Sequence, residues 1–397
     1  MVQWIRELMS GDHPTVAARD FTIIEDAKTG AVISTMCLIS QTWSYDGVEF
    51  AVGQPELVGT KAEYRKRGLV RRQFEAIHEW SAQRGQMVQV IAGIPNFYRQ
   101  FGYEMGLEEH GGRLADSRDV PALPKGKREP YRMRPAREAD IPFIAKTYRW
   151  GMSRYLAACV RNLPLWRYEL ARRSEGVMGR RRICVIEDAA RVRVGIVVHP
   201  RGLWGNALHA FVYELKPGVS WLAVTPSVMR YLLATGERYA ERDRRKEFAS
   251  VAFWLGSAHP VYEVIPSLLP RTREPYAFYV RVPDLPGFVR RIAPVLERRL
   301  AESVAVGYTG ELRLDFYRDG LRMVFERGRL VNVEPWGRGE RRSAAFPDLT
   351  FLQMLFGHRS LDELHLAYRD CFAEGDEARL LLSVLFPKNP SSVWTVA

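Results

Sequence analysis

Between residues 58 and 83 the apolar pattern changes from that of a strand to that of a helix, across a loop crowded with cations around one glycine. Val58-Gly59-Thr60 closes a β-rich run. Val70, Phe74, Ile77 and Ser81 then recur at i, i+4, i+7 and i+11, so one helix face can pack on a sheet while Arg71, Arg72, Glu75, Glu79 and Arg84 mostly meet water. The joint, Glu63-Tyr64-Arg65-Lys66-Arg67-Gly68-Leu69-Val70-Arg71-Arg72, lets backbone N–H groups at the helix N-terminus converge on an anion, and a pyrophosphate fits that geometry. Gly68 allows close backbone approach, and Lys61, Arg65, Lys66, Arg67, Arg71 and Arg72 supply positive charge. A basic loop before a helix is more often merely solvated, so these features alone do not name a ligand.

At 397 residues the chain exceeds one ordinary core, and roughly one domain per 100 to 200 residues makes three the expected number. No run of about 18 apolar residues occurs, and Met1 to Glu7 lacks the basic start and apolar centre of a signal peptide. A cytoplasmic protein with no membrane insertion is expected. Cys37, Cys159, Cys184 and Cys371 are far apart, form no CxxC pair and have no histidine at metal-ligand spacing, so they are read as reduced core residues with no metal. The net charge of +12 admits a polyanionic partner. Arginine is spread along the whole chain, however, and no RNP, zinc-finger or basic-zipper pattern accompanies it, so no nucleic-acid partner is expected.

The chain opens on two β-rich runs, 21–25 and 31–38, separated by the turn-prone Asp26-Ala27-Lys28-Thr29-Gly30, and a third strand follows Tyr45-Asp46-Gly47. After the helix, which Gly85 stops, residues 87–91 read as a buried parallel strand, Pro95 starts a short helix, and Tyr103 re-enters a strand. The Pro- and charge-rich stretch 121–130 marks the first boundary. Beyond it come a strand and helix start at 131–140, a helix beginning near Pro226, a strand at 248–254, and Ser257-Ala258-His259-Pro260-Val261-Tyr262, which parallels Ile94-Pro95-Asn96-Phe97-Tyr98. The repeated order suggests duplication. A last section carries alternating strands at Leu312/Leu314/Phe316 and Leu321/Met323/Phe325 joined through Arg318-Asp319-Gly320, then closing helices. The expected domains are 1–125, 126–285 and 286–397.

Arg65-x-x-Gly68-x-Val70 resembles the Arg/Gln-x-x-Gly-x-Gly/Ala signature of the GNAT acetyltransferases, with Val70 a departure at the last position. Val58-Gly59-Thr60 before it, and Phe97-Tyr98-Arg99-Gln100-Phe101-Gly102-Tyr103 after it, match the family in the right order. More narrowly, almost the whole chain is similar to the enhanced intracellular survival (Eis) group. That resemblance implies a mixed α+β fold of two tandem GNAT-like domains, each with a central mixed sheet, followed by a sterol-carrier-protein-like α+β domain. It also implies acetyl-CoA as co-substrate. Val58, Gly59 and Thr60 would hold the acetyl and pantetheine part through backbone groups, Lys66, Arg67, Gly68, Leu69, Val70 and Arg71 the pyrophosphate, with Gly93 and Ile94 on the adjoining strand end. The second domain lacks such a loop, so one active site per chain is expected, in a homo-oligomer for which a hexamer is one candidate.

Acetyl transfer to an amine needs a neutral amine, an oxyanion-stabilising donor and an acid for the departing thiolate. Tyr98 is the candidate acid, because a phenol of pKa about 10 stays protonated at neutral pH. The competing reading is a packing residue at a helix start. The resemblance further implies that the chain's own terminal carboxylate, on Ala397, takes the acceptor's proton, although the relatives end in an aromatic residue and this chain does not. The expected function is N-acetyl transfer to a small-molecule primary amine, with aminoglycosides the class suggested by resemblance. A polycation wants a carboxylate-lined pocket, and this chain is basic with no acidic residue in its last twenty, so another amine is equally open. The alternative is a non-catalytic lipid- or CoA-binding protein on the same scaffold. His78 is read as solvated and His259 as structural; Glu104, Glu108 and Glu109 are read as either an acceptor site or a solvated strand edge. A complete GNAT domain would place a strand and one or two helices before Phe21, and twenty residues are too few for them.

Overall fold

The computed structural model describes residues 2–172, 180–244, 247–337 and 341–393. Helix α1 (Val2–Met9) precedes a meander of β1 (Phe21–Glu25), β2 (Val32–Tyr45) and β3 (Val48–Thr60); no strand precedes Phe21 among the described residues. Asp26 sets the first turn, its Oδ1 accepting from the N–H groups of Lys28 (2.9 Å) and Thr29 (3.1 Å). Asp46 (φ +48°) and Gly47 (φ +92°) form the second, a two-residue left-handed turn that matches strand twist. Helix α2 (Leu69–Gln83) buries Phe74, Ile77 and Ser81 as the spacing predicts, together with Gln73. It leads to β4 (Val88–Ala92) and, through a 3-10 turn over Phe97–Phe101, to β5 (Glu104–Glu109).

The sheets trade strands across the linker. β6 (Gly112–Asp116) leaves the first half and lies between β13 (Ser250–Phe253) and β14 (Arg271–Arg273) of the second, while β15 (Tyr276–Arg281) returns and lies antiparallel between β4 and β5. Phe278 and Val280 of β15 are fully buried, so each half completes the other's core. β13 also pairs in parallel with β11 (Ala207–Ala210), as β4 does with β3. The second half thus repeats the first, as the sequence order suggests. Its helix over Trp221–Arg242 starts before Pro226, capped by Ser220, whose side chain accepts from the Ala223 N–H. A side-chain cap fixes that start more strongly than the proline does.

The last section forms its own five-stranded sheet, in which Leu312 pairs with Met323 and Leu314 with Leu321. Their apolar face packs against Phe346, Phe351, Leu361 and Leu382, in one cluster with Trp43, Tyr45 and Phe50 of the first sheet. The Tyr45 hydroxyl donates to the Leu355 carbonyl (2.7 Å). The four cysteines are buried. Among the described residues, no helix is long and apolar enough to cross a membrane.

Candidate active site

The first sheet opens at one end. β3 and β4 pair in parallel only at Val52–Val88 and Gly53–Gln89, yet β3 runs on to Thr60 and β4 to Ala92. The divergence leaves β3's inner edge without a ladder partner from β4, exposing backbone groups that must find one elsewhere. A bulge opposite Thr35 and Cys37 assists, with Leu57 at φ +56°. It turns both Glu56 and Leu57 toward the α1 side and Val58 toward the cluster under α2. The far end of β3 is pinned by buried polar contacts: the Ser34 hydroxyl lies 2.6 Å from Gln73 Oε1, 2.8 Å from the Thr60 hydroxyl and 3.0 Å from the Gly59 carbonyl. One hydroxyl hydrogen serves this set, so the Thr60 hydroxyl donates in turn.

Beyond Thr60 the loop places Lys66 (φ +62°) and Gly68 (φ +74°) in the left-handed region, and no side chain caps α2. The first helical bond runs from the Arg72 N–H to the Gly68 carbonyl (3.2 Å), which leaves the N–H groups of Leu69, Val70 and Arg71 without intrahelical acceptors. A β-carbon on Gly68 would meet only open space. Lys66 and Arg67 are exposed, Arg67 donating to the Glu63 carbonyl (3.1 Å); Arg71 is steered to Gln100 (3.1 Å) and lies 5.1 Å over the Phe101 ring. Val70, the departure from the family signature, packs into the cluster under α2 with Val58, so its bulk faces the sheet.

Tyr98 is buried among Phe74, Phe97 and Tyr279. Gly93, at φ +153°, admits its ring: a β-carbon there would lie 2.6 Å from Tyr98 Cε2. Ile94 is exposed beside it, and the Asn96 N–H donates to the Tyr279 hydroxyl (2.9 Å). Among the described residues the Tyr98 hydroxyl has no hydrogen-bond partner, whereas Tyr262, its counterpart in the second half, bonds to Phe253 (2.9 Å) and Leu255 (3.3 Å). Burial pushes the Tyr98 hydroxyl up to about 12, with the charges of Glu56 and Tyr276 adding to the shift.

Two carboxyl groups face this region. Glu56, absent from the sequence-level candidates, is held above the usual carboxylate range by burial. A buried relay ends on it: Trp43 Nε1–H donates to Gln41 (3.0 Å), Gln41 to Gln54, and Gln54 to Glu56 Oε2 (2.9 Å). An acidic residue flanked by Pro55 and Leu57 inside an apolar strand was the signal for it. Burial, then Glu56, pushes Glu109 up to about 7. Glu104 is taken up by Arg99 (2.9 Å) and Gln353 (3.3 Å), and Glu108 lies 3.8 Å from His358. His78, read as solvated, instead bonds to the Tyr103 hydroxyl (2.9 Å). Burial, aided by Arg281, lowers it to about 4, because α2 tilts that side against β5's entry. His259 is structural, bonded to the Tyr213 carbonyl (2.9 Å) and accepting from the Val261 N–H (3.2 Å). Ala397 lies outside the described residues; the tail up to Val393 runs along β8 (Ala157–Cys159), with Ser392 N–H donating to the Ala157 carbonyl (2.9 Å). Among the described residues, no cluster of three His, Cys, Asp or Glu could hold a metal.

An open sheet edge, a cation-rich helix N-terminus and a phenol with no hydrogen-bond partner among the described residues thus lie at one end of the first sheet. Residues 3–106 match the acetyltransferase (GNAT) domain, a span that contains every residue above from Glu56 to Tyr98. Residues 3–106 are therefore similar to a GNAT acetyltransferase domain. Solved structures extend the likeness over the chain. A probable N-acyltransferase from Enterococcus faecalis is 13% identical with TM-score 0.65, covering 92% of this chain and 86% of its own. A GCN5-related N-acetyltransferase from Kribbella flavida is 16% identical, TM-score 0.62, covering 92% and 84%. Eis1 from Mycobacterium abscessus is 12% identical, TM-score 0.58, covering 100% and 96%. At these identities the likeness is one of fold, and the fold is that of the Eis architecture. No curated protein sequence matches the chain.

Proposed function

We propose that the protein transfers the acetyl group of acetyl-CoA to a primary amine, at one site per chain. The free Tyr98 hydroxyl beside Gly93 carries this reading, since a tyrosine kept only for packing would have bonded its hydroxyl, as Tyr262 does. The backbone of Val58, Gly59 and Thr60 would hold the acetyl and pantetheine part along the open edge. The N–H groups of Leu69, Val70 and Arg71, with Lys66 and Arg67, would hold the pyrophosphate. The co-substrate supplies an activated thioester. Residues of this chain move the protons: the Glu56–Glu109 pair accepts one from the amine as its nitrogen bonds to the acyl carbon. Tyr98 gives one to the sulfur as the C–S bond breaks, and regains it through solvent. A Glu109 carboxyl raised to about 7 suits the base.

The Ala397 carboxylate is a second candidate base, four residues beyond Val393, where the described tail ends beside β8. Aminoglycosides belong in the acceptor panel by resemblance, and a homo-oligomer, with a hexamer as one form, is testable by sedimentation. The filled apolar face of the last domain favours the enzyme over the lipid-binding alternative. Thiol release from acetyl-CoA across a panel of amines tests the reading: acceptor-dependent release supports it, and its absence with every amine overturns it.

A further inference from the structure

The strand exchange has a second effect at the site. Where the chain leaves β5 for β6, Glu109 is followed by His110 (φ +58°), whose Nε2 lies 3.4 Å from Glu109 Oε1. His110 stacks on Trp254 (5.4 Å, 10° between planes), which also contacts His209 (4.5 Å) and Trp204 (5.5 Å). One side chain away from the carboxyl pair, the wall is thus aromatic and comes entirely from the second half or the crossover.

The wall is also basic. Arg273, exposed on β14, holds its guanidinium 4.4 Å over Trp254, and Arg181 lies 5.0 Å over Phe211, which packs against Trp204 and Trp254. Arg273 pairs with no carboxylate among the described residues, its chain neighbour Glu274 included. Burial and these two arginines lower His110 to about 4, so the imidazole is neutral at pH 7 and the arginines set the sign of the field. Two buried nitrogens here, His209 Nδ1 and Trp254 Nε1, lack partners. A polycation approaching Glu109 from this side meets fixed positive charge and a carboxyl that burial has raised to about 7. An anionic amine with a flat body gains stacking on the exposed Trp204 edge and a guanidinium fixed over an aromatic ring.

We infer that this wall binds the carboxylate-bearing, planar end of the acceptor, so that the substrate class is an aromatic amino acid or a comparable anionic amine, an inference that rests on the acetyl-transfer reading above.

Phenylalanine and 2-phenylethylamine, which differ only in the carboxylate, test it in the thiol-release assay, with an aminoglycoside alongside. The expected result is a kcat/KM for phenylalanine about tenfold or more above 2-phenylethylamine and above the aminoglycoside. Arg273→Ala should bring the phenylalanine to 2-phenylethylamine ratio down toward one, mostly through KM, and Arg273→Lys should restore it only in part because the planar fork is lost. Equal or better use of 2-phenylethylamine or the aminoglycoside, a ratio that Arg273→Ala leaves unchanged, or turnover of none of the three overturns the inference. Acetyl-CoA titrated into the same samples separates the two levels. Binding with release to other amines leaves acetyl transfer standing and removes only this acceptor class, whereas no binding removes both.

Discussion

Gly93 and Tyr98 are in such close contact that a β-carbon on the glycine would sit 2.6 Å from the tyrosine ring. The backbone at the end of β4 therefore decides where the phenol points. Gly93→Ala must move the ring or strain the backbone, since φ +153° is a conformation L residues avoid. Misplacing a proton donor by an ångström slows chemistry, so kcat should fall about tenfold to a hundredfold. Steady-state kinetics beside an acetyl-CoA titration would show it, and unchanged kcat would mean the contact has no catalytic consequence.

The two repeat tyrosines should respond in opposite ways. Tyr98→Phe removes a hydroxyl with no hydrogen-bond partner among the described residues, so unfolding free energy should change by less than about 0.5 kcal/mol while kcat falls about a hundredfold. Tyr262→Phe breaks bonds to Leu255 and Phe253 and should cost about 1 to 2 kcal/mol with turnover preserved. Denaturant melts and initial rates on both variants give the comparison.

The raised Glu109 carboxyl predicts a pH profile with a definite sign. Only the deprotonated pair accepts a proton, so kcat/KM should rise with pH through about 7 and level off above it. Stability runs the other way. The unfolded carboxyl titrates near 4.5 and the folded one near 7, so between those values the folded state holds more protons and stability falls as pH rises, then stays flat. Glu109→Gln should remove the acid limb of the rate profile, lower the rate, and raise the melting temperature at pH 8 relative to wild type but not at pH 4.

Gln73 ties α2 to the sheet, accepting from Ser34 (2.6 Å) and donating to the Thr22 carbonyl (3.2 Å). Gln73→Leu should cost about 1 to 3 kcal/mol, because Ser34 and Thr22 lose buried partners, and should weaken acetyl-CoA binding by loosening Thr60 and the start of α2. Calorimetric Kd values for wild type and variant test whether this network positions the loop.

Local chemistry was legible in the sequence where it is written in consecutive residues. The Asp26 and Asp46-Gly47 turns, the α2 stripe, Gly68 and the Leu312/Met323 pairing all follow from spacing and turn preference. What spacing cannot reveal is which strand lies beside which across a hundred and fifty residues. β15 between β4 and β5, and β6 between β13 and β14, are non-local pairings whose apolar runs would suit either sheet. His78 was misread for the same reason, since its partner Tyr103 arrives from another element. Glu56, Glu109 and the Trp254 wall are positioned by the bulge at Leu57 and the crossover at His110, where Gly111-Gly112 marks a turn in the sequence without saying which sheet the chain enters next.

The central claim is that the opened end of the first sheet binds acetyl-CoA and that Tyr98 acts on it. Isothermal titration of acetyl-CoA into wild type and Tyr98→Phe, followed by thiol release with an amine panel, addresses it most directly. Similar Kd values are expected for the two proteins, with acceptor-dependent release about a hundredfold slower from Tyr98→Phe than from wild type. No binding to wild type, or equal release by Tyr98→Phe, would contradict it.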